Sequence, residues 1–239
     1  MEGRSLVDVR AELKKQADAI AQRIGKPGGD FIRVQQDKKF KLPDGTENPG
    51  PLSVVILDFV SGNFYFDRPY KEGQGAASAP ACFALGLEPE HLRPHETSPD
   101  RQNEVCKGCW ANDFKSDPQG GPGKACQNTY LLALTAPEPD APVYNLKVSS
   151  TALRAFDAYV KSIKAQFDAT PIVVVTDIYF DPDSKYPSLR FGNPSPNDNL
   201  AVHFEKQKAA RERLLTAPDV SNYTPPPPPP GKAGKTGKK

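Results

Sequence analysis

The chain begins with an amphipathic pattern. Apolar residues recur there at three- and four-residue steps or their sums, at Leu6, Val9, Leu13, Ile20 and Ile24. Lysine, glutamate and glutamine lie between them, which predicts a helix with one apolar face. The helix should end near Gly25, because Pro27, Gly28 and Gly29 follow. We expect it to dock on the main domain; display of a free helix to a partner is the alternative.

From Asp30 the pattern becomes that of β-strands. Residues 31–42 form a lysine-bearing strand candidate, which the Pro-Asp-Gly sequence at 43–45 closes with a turn. Residues 52–59 are the most apolar run of the first half. Ser-Gly-Asn at 61–63 then has the composition of a turn, so we expect a hairpin that returns through residues 64–67.

The strand pattern resumes after residue 128, at 130–135 and 143–148. A helix follows, since apolar residues again mark one face, at Leu153, Phe156, Val160, Ile163 and Phe167. Ser149 or Ser150 is expected to cap its N-terminus.

The last predicted elements are a β-hairpin and a helix. Residues 172–180 are rich in β-branched residues and are predicted to form a strand. Residues 188–191 can pair with this strand across the Asp-Pro-Asp turn at 181–183. A weaker helix covers 199–215, and six consecutive prolines at 225–230 lie in the tail that follows.

The order of elements predicts a β-rich α+β fold, an OB-like Greek-key barrel with flanking N- and C-terminal helices. Other small α+β sheets fit the same order. Residues 1–217 form one domain in this interpretation, and residues 218–239 form a disordered, proline-rich basic tail. Residues 68–128 lack periodicity and form a long insertion, which needs a staple because loops beyond about 15 residues are rare in compact domains.

Composition and charge narrow the functional classes. Proline, at 26 of 239 residues, is about twice its usual share of roughly 5%. The net charge is +2, but the last nine residues carry +4, which leaves −2 for residues 1–230. A slightly acidic body does not favour strong duplex binding. No apolar stretch is long enough to span a membrane, and the charged N-terminus lacks a secretory pattern, so we expect a cytoplasmic protein.

Four cysteines provide the most specific chemistry in the chain. They are Cys82, Cys106, Cys109 and Cys126, with 23, 2 and 16 residues between them. The Cys-x-x-Cys pair in a reducing compartment predicts a metal site, and tetrahedral zinc takes four such thiolates. A structural Zn²⁺ would supply on the order of 10 kcal/mol of local folding free energy to the insertion.

Other interpretations of the cysteines stay open. An iron–sulfur cluster uses the same ligands but is less favoured. The four thiols can also lack a common site. Alternatively, Cys106 and Cys109 can form a redox dithiol, although the βαβ context of such motifs is missing. His91 or His95 can replace one cysteine; His203 has no predicted role.

Several segments resemble a phage- and prophage-encoded family whose members include single-stranded DNA-binding proteins. The matching residues lie between about 50 and 180, at Phe64-Tyr65-Phe66, Ala79 to Ala84, Cys106 to Phe114, Gly123 to Cys126 and Val174-Val175-Thr176. The resemblance implies single-stranded DNA binding in replication or recombination, in a bacterial host cell. Lys115, Pro122 and Gln127 depart from the family pattern, which has glycine at the first position and basic residues at the other two.

Single-strand binders combine stacking aromatics with a basic groove. The stacking candidates are Tyr65, Tyr70, Trp110 and Phe114. The phosphate-contact candidates are Arg68, Lys71, Lys107, Lys115 and Lys124, extended by Lys38, Lys39 and Lys41. Each aromatic has an alternative structural role, and Trp110 can instead pack over the metal knuckle.

Two further classes compete with nucleic-acid binding. A zinc-stapled structural or adaptor protein that contacts other proteins, in a regulatory or virion-associated role, suits the mildly acidic body and the proline tail. Replication or recombination proteins are candidate protein partners. A metal-dependent nuclease would need the carboxylates of Asp177, Asp181 and Asp183. Their place in a hairpin favours a turn instead, and we expect no enzymatic activity.

Overall fold

The computed structural model describes residues 30–68, 79–118 and 120–226. The predicted N-terminal helix and residues 227–239 of the predicted tail lie outside this range. The chain divides into two units. Within the described residues, the first unit runs to Phe59 and resumes from Leu131 to Leu214, and the second comprises Val60–Tyr130 and the segment from Leu215.

Nine strands and two α-helices lie within the described ranges. The strands are β1 (Phe31–Val34), β2 (Phe40–Lys41), β3 (Glu47–Asn48), β4 (Leu52–Tyr65), β5 (Cys82–Gly86), β6 (Cys126–Thr135), β7 (Val143–Val148), β8 (Val174–Phe180) and β9 (Leu189–Pro196). The helices are α1 (Leu153–Phe167) and α2 (Leu200–Leu214). None of the helices in the described ranges is long and apolar enough to cross a membrane.

The strands form one mixed sheet with the order β3-β2-β1-β7-β6-β4-β8-β9. The β1–β7 pair is parallel, with Phe31 opposite Asn145. Although four strands separate β2 from β8 in this order, the rings of Phe40 and Phe180 stack with centroids 4.4 Å apart. The sheet of the first unit therefore curls like a half-barrel. The coarse prediction of a β-rich fold with a curled sheet and helices is confirmed.

Helix α1 covers the sheet through buried aromatic contacts. Phe156 is fully buried, and its ring meets the edges of Phe59 and Phe191, both at centroid distances of 5.0 Å. The Tyr159 hydroxyl and Thr176 Oγ1 share a buried hydrogen bond of 2.7 Å. The predicted serine cap is wrong, because Ala152 is the N-cap residue and its side chain has no capping group.

Helix α2 is held mainly by polar contacts within the first unit. Arg211 Nε donates to Asp58 Oδ2 over 2.5 Å, and Gln207 Nε2 donates to the Leu57 carbonyl over 2.9 Å. His203 is completely buried and its Nδ1 lies 3.0 Å from Asn197 Oδ1. Its Nε2 has no hydrogen-bond partner among the described residues. The sequence had given this histidine no role.

Two predicted strand boundaries are wrong for identifiable reasons. Residues 31–42 form two strands rather than one, since the chain reverses through Lys38, whose φ is +58°. The predicted turn at 61–63 is absent, and β4 continues through it to Tyr65. Position 62 requires glycine, because a Cβ there would lie 2.7 Å from Phe64 Cε2 and 3.1 Å from Thr129 Oγ1. Glycine in a strand marks such a close approach as well as a turn.

In the second unit, β5 extends the sheet by pairing with residues 61–65 of β4. The loop after β5 is pinned by Ser98, whose Oγ donates to the Phe83 carbonyl over 3.0 Å and accepts from the Phe83 N–H at 3.1 Å. Short 3₁₀ turns at Pro89–His91 and Trp110–Asn112 are the regular pieces of the described loop. This loop carries the Cys-x-x-Cys pair.

Candidate metal centre

The four cysteines converge on one place in the second unit. Cys82 begins β5 and Cys126 begins β6. The Cys-x-x-Cys segment between them forms a turn in which the Cys109 N–H donates to the Cys106 carbonyl over 3.4 Å. All four residues line one small cavity of about 20 Å³.

Burial weakens the acidity of Cys82, Cys106 and Cys126. It raises the pKa of Cys82 and of Cys106 above the ordinary value. Burial, together with the other three thiols, raises the pKa of Cys126 to about 12. A catalytic dithiol needs a lowered thiol pKa, so this environment does not favour a redox pair at Cys106 and Cys109.

The histidines do not join the cysteines. Neither His91 nor His95 is among the described residues that line the cavity. The His91 Nδ1 lies 2.5 Å from Glu88 Oε2, and the His95 ring stacks on Phe83 with centroids 5.1 Å apart. Of the cysteines and histidines considered as ligands, the four cysteines line the cavity and these two histidines do not.

Four thiols are a donor set that zinc accepts. Among the described residues, no three or more Cys, His, Asp or Glu side chains stand in a coordinating arrangement. The four thiols thus share one cavity without forming a coordinating group.

A polar network borders the cavity. Lys124 Nζ donates to Asn112 Oδ1 and to Asn128 Oδ1, both over 3.1 Å. Asn128 Nδ2 donates to Asn63 Oδ1 over 2.6 Å, and the Asn63 side chain hydrogen-bonds the Cys106 thiol. The sequence interpretation assigned no site role to these asparagines, since each could equally be a loop residue.

Two aromatic rings on the same loop are unusually exposed. Phe114 is 77% exposed and Trp110 is 49% exposed. Lys124 Nζ lies 4.9 Å from the Phe114 ring centroid. Tyr65 is half-buried and meets Trp110 edge-to-face at 5.6 Å, so part of the Trp110 ring packs against the cavity wall.

The predicted phosphate contacts have varied surroundings. Lys107 pairs with Glu90 over 3.0 Å at an exposed site, where such pairs contribute little. Arg68 Nη2 donates to the Pro225 carbonyl over 2.6 Å. Lys115 has a φ of +69° on the loop that carries Phe114. Tyr70 and Lys71 lie outside the described residues.

Three predicted lysines belong to the first unit. Lys38 Nζ donates to the Asp181 carbonyl over 3.1 Å. Lys39 pairs with Asp37 at 2.9 Å and with Glu47 at 3.2 Å, which largely compensates its charge. Lys41 is exposed on β2. Their predicted role in a groove stays a prediction.

The carboxylates considered for a nuclease serve the β8–β9 hairpin. Asp177 accepts from Ser53 Oγ at 2.6 Å and from Asn193 Nδ2 at 3.1 Å. Asp181 accepts from the Asp183 N–H at 3.1 Å and from Arg190 at 2.5 Å. The predicted turn at 181–183 is confirmed.

Comparison with known protein families, with curated proteins and with solved structures finds no match for this chain. The site therefore has to be interpreted from its own residues.

Proposed function

We propose that this chain is a zinc-stapled protein that binds single-stranded DNA without sequence specificity. The observation that carries the proposal is the pair of exposed rings, Trp110 and Phe114, on the loop between the cysteine pair and Cys126. The two rings lie only four residues apart on one loop, and exposed apolar surface that is grouped in this way marks interaction sites. Bases stack on such rings, at about 1–3 kcal/mol per base.

Positive charge beside the rings supports a polyanionic ligand. Lys115 follows Phe114 directly, and Lys107 lies three residues before Trp110. A groove of about 570 Å³ is lined by two basic residues, Arg93 and Arg101, and one acidic residue, Glu104. It shares Pro94, Gln102 and Asn103 with the lining of the cysteine cavity. These arginines were not among the predicted contacts and would meet phosphates in this proposal.

Zinc is the proposed staple, held by Cys82, Cys106, Cys109 and Cys126. It would supply a fixed, closed centre without catalytic chemistry. We also propose that the curled sheet, with its parallel β1–β7 pair, is of the OB-like Greek-key type. A role in phage replication or recombination in the bacterial cytoplasm follows from the resemblance of the sequence motifs.

The binding test uses the intrinsic fluorescence of Trp110, the one tryptophan in the chain. Oligo(dT) should quench it, and added salt should weaken the effect. Phe114→Ala should reduce affinity for a labelled oligonucleotide about 5- to 150-fold, the loss of one stacking contact. Phe204→Ala is the matched control, since Phe204 is 63% exposed in the first unit.

Absence of both quenching and labelled-oligonucleotide binding would contradict the proposal. It would favour the adaptor, in which the same rings meet another protein.

The zinc proposal has a separate test. Elemental analysis should find about one zinc per chain, as a single four-thiolate site requires. Chelation should expose residues 82–126 to proteolysis, whereas residues 131–214 should stay resistant. A metal-free chain with the same protease resistance in both segments would contradict the staple.

A further inference from the structure

The polar residues beside the cysteine cavity form a closed ring of hydrogen bonds. Asn112 Nδ2 donates to the Cys106 carbonyl over 3.2 Å, and Asn112 Oδ1 accepts from Lys124. Lys124 also donates to Asn128, Asn128 donates to Asn63, and Asn63 returns to the Cys106 thiol. The ring thus begins and ends at one cysteine.

The ring connects the segments that carry three of the cysteines with β4. Asn63 lies on β4, Asn112 ends the 3₁₀ turn that follows Cys109, and Lys124 and Asn128 flank Cys126 by two residues on either side. Cysteines from distant parts of the chain reach one ion only if their segments are fixed relative to each other. Second-shell hydrogen bonds do this in metal sites.

Lys124 is the central member of the ring. Its ammonium group contacts two amide oxygens and the face of the Phe114 ring, so each of its N–H bonds has a partner within the protein. A phosphate could be bound only by breaking these contacts. The residue therefore differs from Lys115, for which the described residues provide no side-chain partner.

We infer that Lys124 is a positioning residue of the metal centre rather than a phosphate contact. Four thiolates around a divalent cation leave surplus negative charge, which a nearby half-buried ammonium group offsets. Asn63 and Asn112 position the Cys106–Cys109 turn relative to this ammonium group. This inference rests on the zinc part of the proposed function.

The test measures zinc affinity of the full-length chain by competition with a chromogenic chelator. Lys124→Gln should weaken zinc binding about 10- to 100-fold, the usual effect of losing a second-shell partner. Asn128→Ala should act in the same direction because it removes the link between Lys124 and Asn63. Lys124→Arg, which keeps the charge, should recover part of the affinity, and Lys115→Gln is the matched control.

Cobalt-substituted protein adds a readout of ligand geometry. Lys124→Gln should alter the cobalt–thiolate absorption, whereas Lys115→Gln should leave it unchanged. If Lys124→Gln binds zinc as tightly as the wild type, the inference is wrong and the staple is unaffected. If that variant also binds the oligonucleotide more weakly, Lys124 is a phosphate contact. A wild-type chain that binds no zinc would overturn both the inference and the staple.

Discussion

The Tyr223 hydroxyl donates to Asp67 Oδ2 over 2.7 Å and joins the two segments of the second unit, Val60–Tyr130 and the one from Leu215. The neighbouring contact from Arg68 to Pro225 is made where the run of six prolines begins. The Tyr223 N–H also donates to the Val220 carbonyl over 3.0 Å, so a turn precedes the proline run. This end of the chain thus has specific contacts that its tail-like composition does not reveal.

Removal of the Tyr223 hydroxyl should loosen this segment. Tyr223→Phe loses one hydrogen bond to a carboxylate at a partly exposed site, so we expect a loss of about 0.5–1.5 kcal/mol in the local opening free energy. Hydrogen exchange of residues 215–226 measures it. Tyr186→Phe, at a tyrosine that is 71% exposed, should leave the exchange unchanged. Equal exchange in both variants would contradict a fastening role.

The same contact predicts a dependence on alkaline pH. Burial and the Asp67 carboxylate raise the pKa of Tyr223 from 10.0 to about 12. The folded segment favours the neutral phenol, so the contribution is fully present below pH 10 and is lost as pH rises through about 12. The pKa values of Tyr65 and Tyr159 are also raised, so the phenolate absorption at 295 nm should contain late-ionising components besides Tyr223. The component near pH 12 should be lost in Tyr223→Phe. Identical titration curves, after correction for one phenol, would contradict the assignment.

Lys115 is the site of a predicted stabilising substitution. Its φ of +69° is costly for a residue with a Cβ, and glycine removes that cost. Lys115→Gly should stabilise the loop by about 1 kcal/mol. The same variant should weaken oligonucleotide binding as much as Lys115→Gln if the charge contacts phosphate. Thermal unfolding and titration separate the two effects, and a lower Tm in Lys115→Gly would contradict the backbone argument.

The contact of α1 with the sheet should dominate the stability of the first unit. Phe156→Ala removes a fully buried ring between Phe59 and Phe191 and should cost about 3–5 kcal/mol. Phe167→Ala, at a ring that is 48% exposed on the same helix, should cost much less. Urea unfolding measures both, and similar midpoints in the two variants would rule out this packing.

The lysines of the C-terminal end provide a test of nonspecific binding. Changing Lys232, Lys235, Lys238 and Lys239 to glutamine removes four charges. Each phosphate contact on a single strand contributes about −0.7 to the slope of log K against log salt. If the lysines contact DNA, the slope should become shallower by up to about 3, with an unchanged Tm. An unaltered slope would show that the lysines do not meet the ligand.

The sequence determined those elements whose pattern is local. The predicted strand at 143–148 and the helix from Leu153 to Phe167 match β7 and α1, because side chains that face one core repeat with the period of their own element. The hairpin of β8 and β9 was also predictable, because the Asp-Pro-Asp turn lies between two strand-like segments. Zinc remains a proposal that began with the cysteine spacing, and DNA binding remains one that began with the motif resemblance. A cytoplasmic location remains a proposal that began with the pattern of the N-terminal segment.

Only the tertiary structure decided the role of residues whose partners are distant in sequence. Gly62 has the composition of a turn but lies inside β4, because Phe64 and Thr129 leave no room for a side chain. Asn63, Asn112 and Asn128 carry no distinguishing pattern, yet they surround one cavity with the four cysteines. Periodicity reports which face of an element is buried, whereas a site depends on which segments the fold brings together, and that information is not local.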